Sequence, residues 1–184
     1  MKDRYAPIDA WNELIFTLYG EEGKKQIEYF IERMELGLTH WLPKWTILIG
    51  KAGTGKSTLI HIICRLFDNW TPVGTESADF GQYEGSLGIC HDADIEKLRR
   101  HVTENWEYSK DYHILAATDV IYHQHLNDSR VTFDSDDIQV IRPTGFVMPV
   151  EKYERAMDEI YQGIPELKLY FREKAIMDFM ERRL

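Results

Sequence analysis

Apolar residues in the first forty positions recur every three or four residues, the spacing that places them on one face of an α-helix. The pattern is interrupted at Gly20 and ends near Gly37, and glycine commonly follows the last turn of a helix. Asp9 precedes the first apolar stripe and is predicted to cap that helix. The sequence therefore predicts two amino-terminal helices, whose apolar stripes consist of Trp11, Leu14, Ile15 and Leu18, and of Ile27, Phe30, Ile31, Met34 and Leu38.

Short, continuous apolar runs follow, and such runs are typical of strands that are buried on both faces of a parallel sheet. The first run begins after Pro43, and the last one ends before Pro143 and Gly145. The predicted strands are 45–49, 87–90, 114–117 and 138–141. The predicted helices are 57–67, 95–102 and two further helices from 151 onward that separate near 163–165.

The composition favours a single α/β domain. The chain has 184 residues, 43% of them hydrophobic, which is enough for one well-buried core and too little for two. We therefore expect one domain over 1–184, with a helical segment at 1–42, an α/β core at 43–148 and carboxyl-terminal helices at 149–184.

Charge and hydropathy exclude some classes of protein. No apolar run approaches the ~20 residues of a membrane-spanning helix, and the first residues lack a signal-peptide core, so a cytoplasmic protein is expected. The net charge of −9 argues against a surface coated with nucleic-acid-binding charge, although a local basic patch remains compatible with it. Cys64 and Cys90 lie in apolar runs and are predicted to be buried free thiols.

A glycine-rich segment between the first predicted strand and the next helix carries the clearest chemical signal. Residues 50–57 fit the pattern G-x-x-x-x-G-K-[ST] in full, which predicts a phosphate-binding loop (P-loop). Backbone N–H groups of such a loop point at phosphate oxygens, Lys56 adds a positive charge, and Ser57 offers its hydroxyl to Mg²⁺. The predicted nucleotide-binding residues are Gly50, Lys51, Ala52, Gly53, Thr54, Gly55, Lys56, Ser57 and Thr58.

Acidic residues follow the second predicted strand, as a magnesium-dependent nucleotide site requires. The segment His91-Asp92-Ala93-Asp94 directly follows this strand, and both aspartates would point the same way if the extended geometry continued. We assign Asp92 to the Mg²⁺ shell and Asp94 to orientation of the attacking water. The alternative is that these acids cap the helix that begins at Ile95.

Four segments together resemble the ATPase part of phage and poxvirus-type primase-helicases, which are superfamily-three helicases within the AAA+ class. They are WTILIGKAGTGKSTLIHIICRLF, GSLGICHDADIEKL, ILAATD and IQVIRPTGFVMPVEKYERAMDEIYQGI, and they cover roughly residues 40–165. The resemblance implies an AAA+-like P-loop fold and a ring of the hexamer type that couples ATP hydrolysis to movement on DNA. It also implies that 114–117 is the sensor strand and that a neighbouring subunit supplies an arginine, for which Arg130 is preferred over Arg142.

The chain departs from the family pattern at three places. Thr118-Asp119 stands where the family has Thr-Asn, and Asp136-Asp137 stands where the family has a pair of arginines. The interval before the sensor strand is also shorter. Asp119 is predicted to lie near the γ-phosphate, and because a carboxylate there would repel the nucleotide, slow hydrolysis is expected.

That interval contains the candidate contacts to single-stranded DNA. Lys97, Arg99 and Arg100 supply positive charge, and Trp106 offers a stacking surface. The alternative is an ordinary solvated helix face. His113, His123 and His125 are interpreted as surface histidines rather than as a metal site, since no Cys or carboxylate stands at ligand spacing.

Three functional hypotheses follow. The first is an ATPase of the helicase type, and the second is a nucleotide-binding regulatory or assembly module without efficient turnover. The third is a small-molecule kinase. It is disfavoured because roughly 45 residues precede the P-loop and because the chain has no arginine-rich lid segment.

Overall fold

The computed structural model describes residues 5–38, 41–73, 87–104, 112–119 and 138–181, and parallel β-strands form the centre of this part of the protein. The strands are β1 (Trp45–Ile49), β2 (Trp70–Pro72), β3 (Leu87–Cys90), β4 (His113–Thr118) and β5 (Ile138–Ile141). They form a sheet in the order β2-β3-β4-β1-β5, and every neighbouring pair is parallel. The four predicted strands are confirmed, whereas β2 was missed.

Helices cover both faces of this sheet. They are α1 (Ala6–Glu35), α2 (Lys56–Leu66), α3 (Ile95–Glu104), α4 (Val150–Gln162) and α5 (Ile164–Glu181). The predicted helices are confirmed to within a few residues. Capping by Asp9 is wrong: the first helix begins at Ala6 with Tyr5 at the cap position, and Asp9 lies in its first turn. Pro7 fits this early start because its fixed φ suits the first helical turn.

The core lies on both sides of the sheet. Leu48 of β1 packs with α1, α2, α4 and α5 on one face, and Ile47 and Ile49 pack with α3 on the other. Because side chains alternate along a strand, a strand covered on both faces is buried at successive positions, as all five residues of β1 are. The expected α/β architecture, a parallel sheet flanked by helices with helical segments at both ends, is therefore confirmed.

The break in α1 positions the segment that follows β5. Gly20 has φ 69° and ψ −175°, so the predicted end of the first helix is confirmed as a kink. The kink leaves carbonyl groups of α1 without partners within the helix, and Thr144 supplies hydrogen-bond donors to them. Its N–H donates to the Leu18 carbonyl (2.7 Å), and its hydroxyl donates to the Thr17 carbonyl (3.0 Å).

A buried charged cluster fastens α1 to α5. Glu28 and Glu32 are 4% and 3% exposed, and the ammonium group of Lys174 lies 2.8 Å and 2.9 Å from their carboxylates. Lys24 pairs with Glu28 at 2.7 Å, and the indole N–H of Trp11 donates to Glu28 at 3.2 Å. Burial alone would raise the pKa of Glu28, but the hydrogen bonds from Lys174 and Lys24 outweigh it and lower that pKa.

Two further properties were predicted from composition. None of the described helices is long and apolar enough to cross a membrane.

Cys90 is a buried free thiol, as predicted, whereas Cys64 is a free thiol that is only half-buried. Burial raises the pKa of both thiols to about 11, with a contribution from the charge of Asp92 at Cys90.

Candidate functional site

The glycine-rich loop joins β1 to α2 at the carboxyl edge of the sheet. Gly53 and Gly55 have φ values of 77° and 92°, a region that side chains with a Cβ rarely adopt. A methyl group on Gly55 would also lie 2.7 Å from Leu18 of α1. Tyr19 donates its hydroxyl to the Gly55 carbonyl at 3.1 Å, and burial raises the pKa of this phenol. Helix α1 therefore packs directly against the loop, which the sequence did not reveal.

Lys56 lies at the centre of this loop. Its side chain is buried, and its ammonium group donates to the carbonyls of Gly50 and of Lys51, the latter at 2.9 Å. Thr54 donates its hydroxyl to the same Lys51 carbonyl at 2.7 Å. The loop thus wraps around a positive charge at the start of α2, where the helix dipole is also positive.

A cavity of about 460 Å³ opens beside the loop. Its polar wall comes from the loop and the first turn of α2, including Lys56, Ser57 and Thr58. The rest of its lining is mainly apolar and includes Leu18, Phe146, Val147, Met148, Val150 and Tyr153. We call residues 146–150 the apolar ledge; the side chains of Phe146, Val147 and Val150 are 73%, 82% and 69% exposed. A large exposed apolar surface next to a phosphate loop suits the flat ring of a base.

Asp92 faces the same cavity from the end of β3. Its φ of 50° makes it the one non-glycine residue with positive φ in the described part of the chain, so the chain turns sharply there. Ser57 and Asp92 both line the cavity, and hydroxyl and carboxylate oxygens are the ligands that Mg²⁺ prefers. The donor set therefore fits a magnesium ion.

Asp94 points elsewhere. The extended geometry that would have aligned it with Asp92 does not continue, because of the turn at Asp92. Its carboxylate accepts the N–H of Lys97 at 3.2 Å and so caps α3. The geometry thus agrees with the capping alternative for Asp94.

The remaining predicted catalytic residues are Asp119 and Arg130, with Arg142 as the alternative to Arg130. Asp119 follows β4, the strand between β1 and β3, and is half-buried. It is not among the described residues that line the cavity. Arg142 lines a second cavity of about 740 Å³ on another side of the loop, together with Lys51. Arg130 and the pair at 136–137 lie outside the described residues.

The candidate DNA contacts lie on and after α3. Lys97 lies 3.9 Å from Asp94, and Arg100 lies 3.8 Å from Glu96, all at exposed or half-exposed positions. The side chain of Arg99 and the whole of Trp106 lie outside the described residues. Neighbouring acids reduce the positive potential of Lys97 and Arg100, which favours a solvated helix face.

His113 was wrongly interpreted as a surface residue. Its side chain is 3% exposed and packs against Phe30, and its Nε2 lies 3.0 Å from the Thr46 hydroxyl. Burial, with a smaller effect from Lys44, lowers its pKa to about 3, so the ring is neutral. His123 and His125 lie outside the described residues.

Comparisons with known proteins agree with a P-loop fold. No protein-family model matches the chain. A stretch of 47 residues, 25% of this chain, is 40% identical to the small ribosomal subunit biogenesis GTPase RsgA of Dichelobacter nodosus, but it covers only 15% of that protein.

A similar fold occurs in a solved structure, the apo A form of the NrS-1 C-terminal region. The TM-score is 0.55 at 12% identity, and the match covers 91% of this chain and 51% of that one. The chain thus spans about half of the solved structure and a small part of the GTPase. Together with the loop geometry, these findings show an α/β fold of the P-loop type.

Proposed function

We propose that the protein binds ATP with Mg²⁺ and hydrolyses it slowly, as an ATPase of the helicase type. The observation that carries the proposal is the arrangement of Lys56 at the centre of the glycine-rich loop with Ser57 and Asp92 facing one cavity. Backbone N–H groups of the loop and the ammonium of Lys56 would bind the phosphates. Ser57 and Asp92 would hold Mg²⁺, which when bound neutralises phosphate charge during transfer.

The strand order supports the helicase-type assignment. Strand β4 lies between β1, which leads into the phosphate loop, and β3, which leads to Asp92. The carboxyl ends of parallel neighbours meet at one edge of the sheet, so the end of β4 lies between the strand ends that lead to the two halves of the proposed site. This order supports the assignment of β4 as a sensor strand, and we propose that Asp119 acts from its end. We further propose that the active form is a homo-oligomeric ring in which Arg130 of a neighbour completes the site.

The assay that tests this function measures phosphate release, with ATP or GTP and Mg²⁺, with and without single-stranded DNA. Slow ATP hydrolysis that DNA stimulates, with a nucleotide-dependent increase in particle mass, is the expected result. Tight nucleotide binding with no turnover under any condition would instead favour the regulatory module. Transfer of phosphate to a small molecule would favour the kinase, and a strong preference for GTP would exclude the ATPase assignment.

Asp119→Asn is expected to raise turnover roughly three- to tenfold, which corresponds to one added hydrogen bond. An amide can donate to the γ-phosphate or to the attacking water, whereas an aspartate carboxylate can only accept and repels the phosphate. Steady-state phosphate release measures the effect, with Asp158→Asn on the exposed face of α4 as the matched control. Unchanged turnover would place Asp119 outside the γ-phosphate shell, and a collapse would show that its carboxylate is needed.

Phe146→Ala is expected to weaken ADP binding roughly 5- to 150-fold, because stacking of a base on an aromatic ring contributes about 1–3 kcal/mol. The side chain is 73% exposed, so its removal should leave the melting temperature of the unliganded protein nearly unchanged. Displacement of a fluorescent ADP analogue measures affinity. Phe16→Ala, an exposed phenylalanine on α1, is the control. Equal affinities of both variants would show that the base does not bind at the apolar ledge.

A further inference from the structure

Two histidine side chains lie next to each other beside the proposed nucleotide site, and the proposed function does not use them. His61 lies on α2 and His91 directly follows β3, and both are exposed. Their ring centroids are 5.6 Å apart, and the ring planes are inclined at 45°. They are 30 positions apart in the sequence, so the fold brings them together.

The pair occupies a defined place relative to the nucleotide site. His61 follows Ser57 by four residues, so both lie on the same face of α2, and His91 immediately precedes Asp92. The two imidazoles therefore come from the same two elements, α2 and the end of β3, that bring Ser57 and Asp92 to one cavity. Neither histidine is among the described residues that line that cavity, so the pair forms a separate feature.

The spacing of the two rings suits chelation of one metal ion. Two imidazoles on a tetrahedral ion, with metal–nitrogen distances of about 2.0–2.1 Å, have ring centres roughly 5 Å apart. The observed 5.6 Å is close to this value, and because both side chains are exposed, small rotations can bring the nitrogens together. Imidazole is a preferred ligand of Zn²⁺, Cu²⁺ and Ni²⁺, whereas Mg²⁺ prefers oxygen.

We propose that His61 and His91 form a two-histidine clip that binds one divalent transition-metal ion and joins α2 to the end of β3. Water completes the coordination, since no group of three or more His, Cys, Asp or Glu side chains in the described part of the chain is arranged to hold a metal. The clip is distinct from the proposed magnesium site in both its position and its ligand chemistry. It requires no nucleotide.

Calorimetric titration of the untagged, nucleotide-free protein with Ni²⁺ tests the clip. His61→Gln and His91→Gln are each expected to weaken Ni²⁺ binding at least about tenfold, because either change leaves a single imidazole without its chelating partner. The double variant should bind Ni²⁺ at least as weakly as either single variant. At about 100 times the dissociation constant, Ni²⁺ should raise the melting temperature of the unmutated protein by about 5–10 °C.

Several controls make the outcome decisive. His101→Gln on α3 should bind Ni²⁺ like the unmutated protein, and millimolar Mg²⁺ should not compete. Affinities should follow the order Co²⁺ < Ni²⁺ < Cu²⁺. If the His61→Gln/His91→Gln protein binds Ni²⁺ with unchanged affinity and stoichiometry, or if Mg²⁺ displaces Ni²⁺, the clip does not exist. Nucleotide binding is measured separately, so its failure would leave this result intact.

Discussion

Lys56→Ala is expected to abolish the rise in melting temperature that ADP or ATP with Mg²⁺ produces in the unmutated protein. A ligand present at 100 times its dissociation constant adds about 2.7 kcal/mol to the free energy of unfolding. For a domain of this size that is about 5–10 °C. The ammonium group lies inside the loop on the carbonyls of Gly50 and Lys51. Its removal should therefore eliminate phosphate binding.

The measured quantity is the difference between liganded and unliganded melting temperatures. The variant also loses two hydrogen bonds inside the loop, so its unliganded melting temperature can fall without bearing on the prediction. Lys51→Ala is the matched control, because it removes an exposed charge of the same loop and keeps every backbone N–H. Equal shifts for Lys56→Ala and the unmutated protein would contradict the proposed phosphate site.

The sequence predicted most of the fold because the strands are buried on both faces. A continuous apolar run such as Trp45–Ile49 then predicts a strand directly, and the strand–loop–helix order fixes the phosphate loop at one edge of the sheet. Strand Trp70–Pro72 was missed because it has three residues, one of them proline, and exposed side chains at both ends. Among the strands that the structure describes it pairs with β3 alone, and such an edge strand depends on its neighbour more than on its own pattern.

The predictions for the site were less complete, because they depended on contacts between distant parts of the chain. The motif predicted Lys56 and Ser57 as site residues, and both line the cavity because the loop is local in sequence. The direction of Asp94 depended on the φ angle of Asp92, which a pattern of residue types does not encode. The apolar ledge also has no signal of its own. Its position beside the loop depends on the contact of Thr144 with the kink in α1, 126 positions away in sequence.

The buried cluster that joins α1 and α5 is the other place where one substitution should have a large effect. Lys174 contacts two carboxylates at once, and its own side chain is 29% exposed. Burial raises the pKa of Glu32 despite this contact, so the ionised form of Glu32 is already costly in the folded protein. Burial opposes the charge of Lys174 as well, but the hydrogen bonds that Lys174 donates to Glu28 and Glu32 raise its pKa. The cost of burying these charges is therefore offset only while Glu28, Glu32 and Lys174 are all present.

Lys174→Met is expected to lower the free energy of unfolding by about 3 kcal/mol, the lower end for breaking a buried ion pair, because Lys174 itself is partly exposed. The melting temperature should fall by about 6–12 °C at neutral pH. Without the lysine, the folded-state pKa of Glu32 rises further above that of the unfolded chain, and Glu28 keeps only Lys24 to lower its pKa. Carboxyl groups of this kind destabilise the fold when ionised, so the variant should recover stability as the pH is lowered from 7 to 5.

In the unmutated protein, Glu28 should respond to pH in the opposite sense. Its pKa is lowered in the folded state, so its contribution to the free energy of unfolding is lost on acidification. The difference in melting temperature between the two proteins should therefore shrink as the pH falls. Lys25→Met is the control, since Lys25 is exposed on α1, the helix that carries Glu28, and pairs with the exposed Glu21 at 3.0 Å. It should change the melting temperature little at any pH. A difference for Lys174→Met that stays constant between pH 7 and 5 would show that lost packing, rather than uncompensated carboxylates, causes the destabilisation.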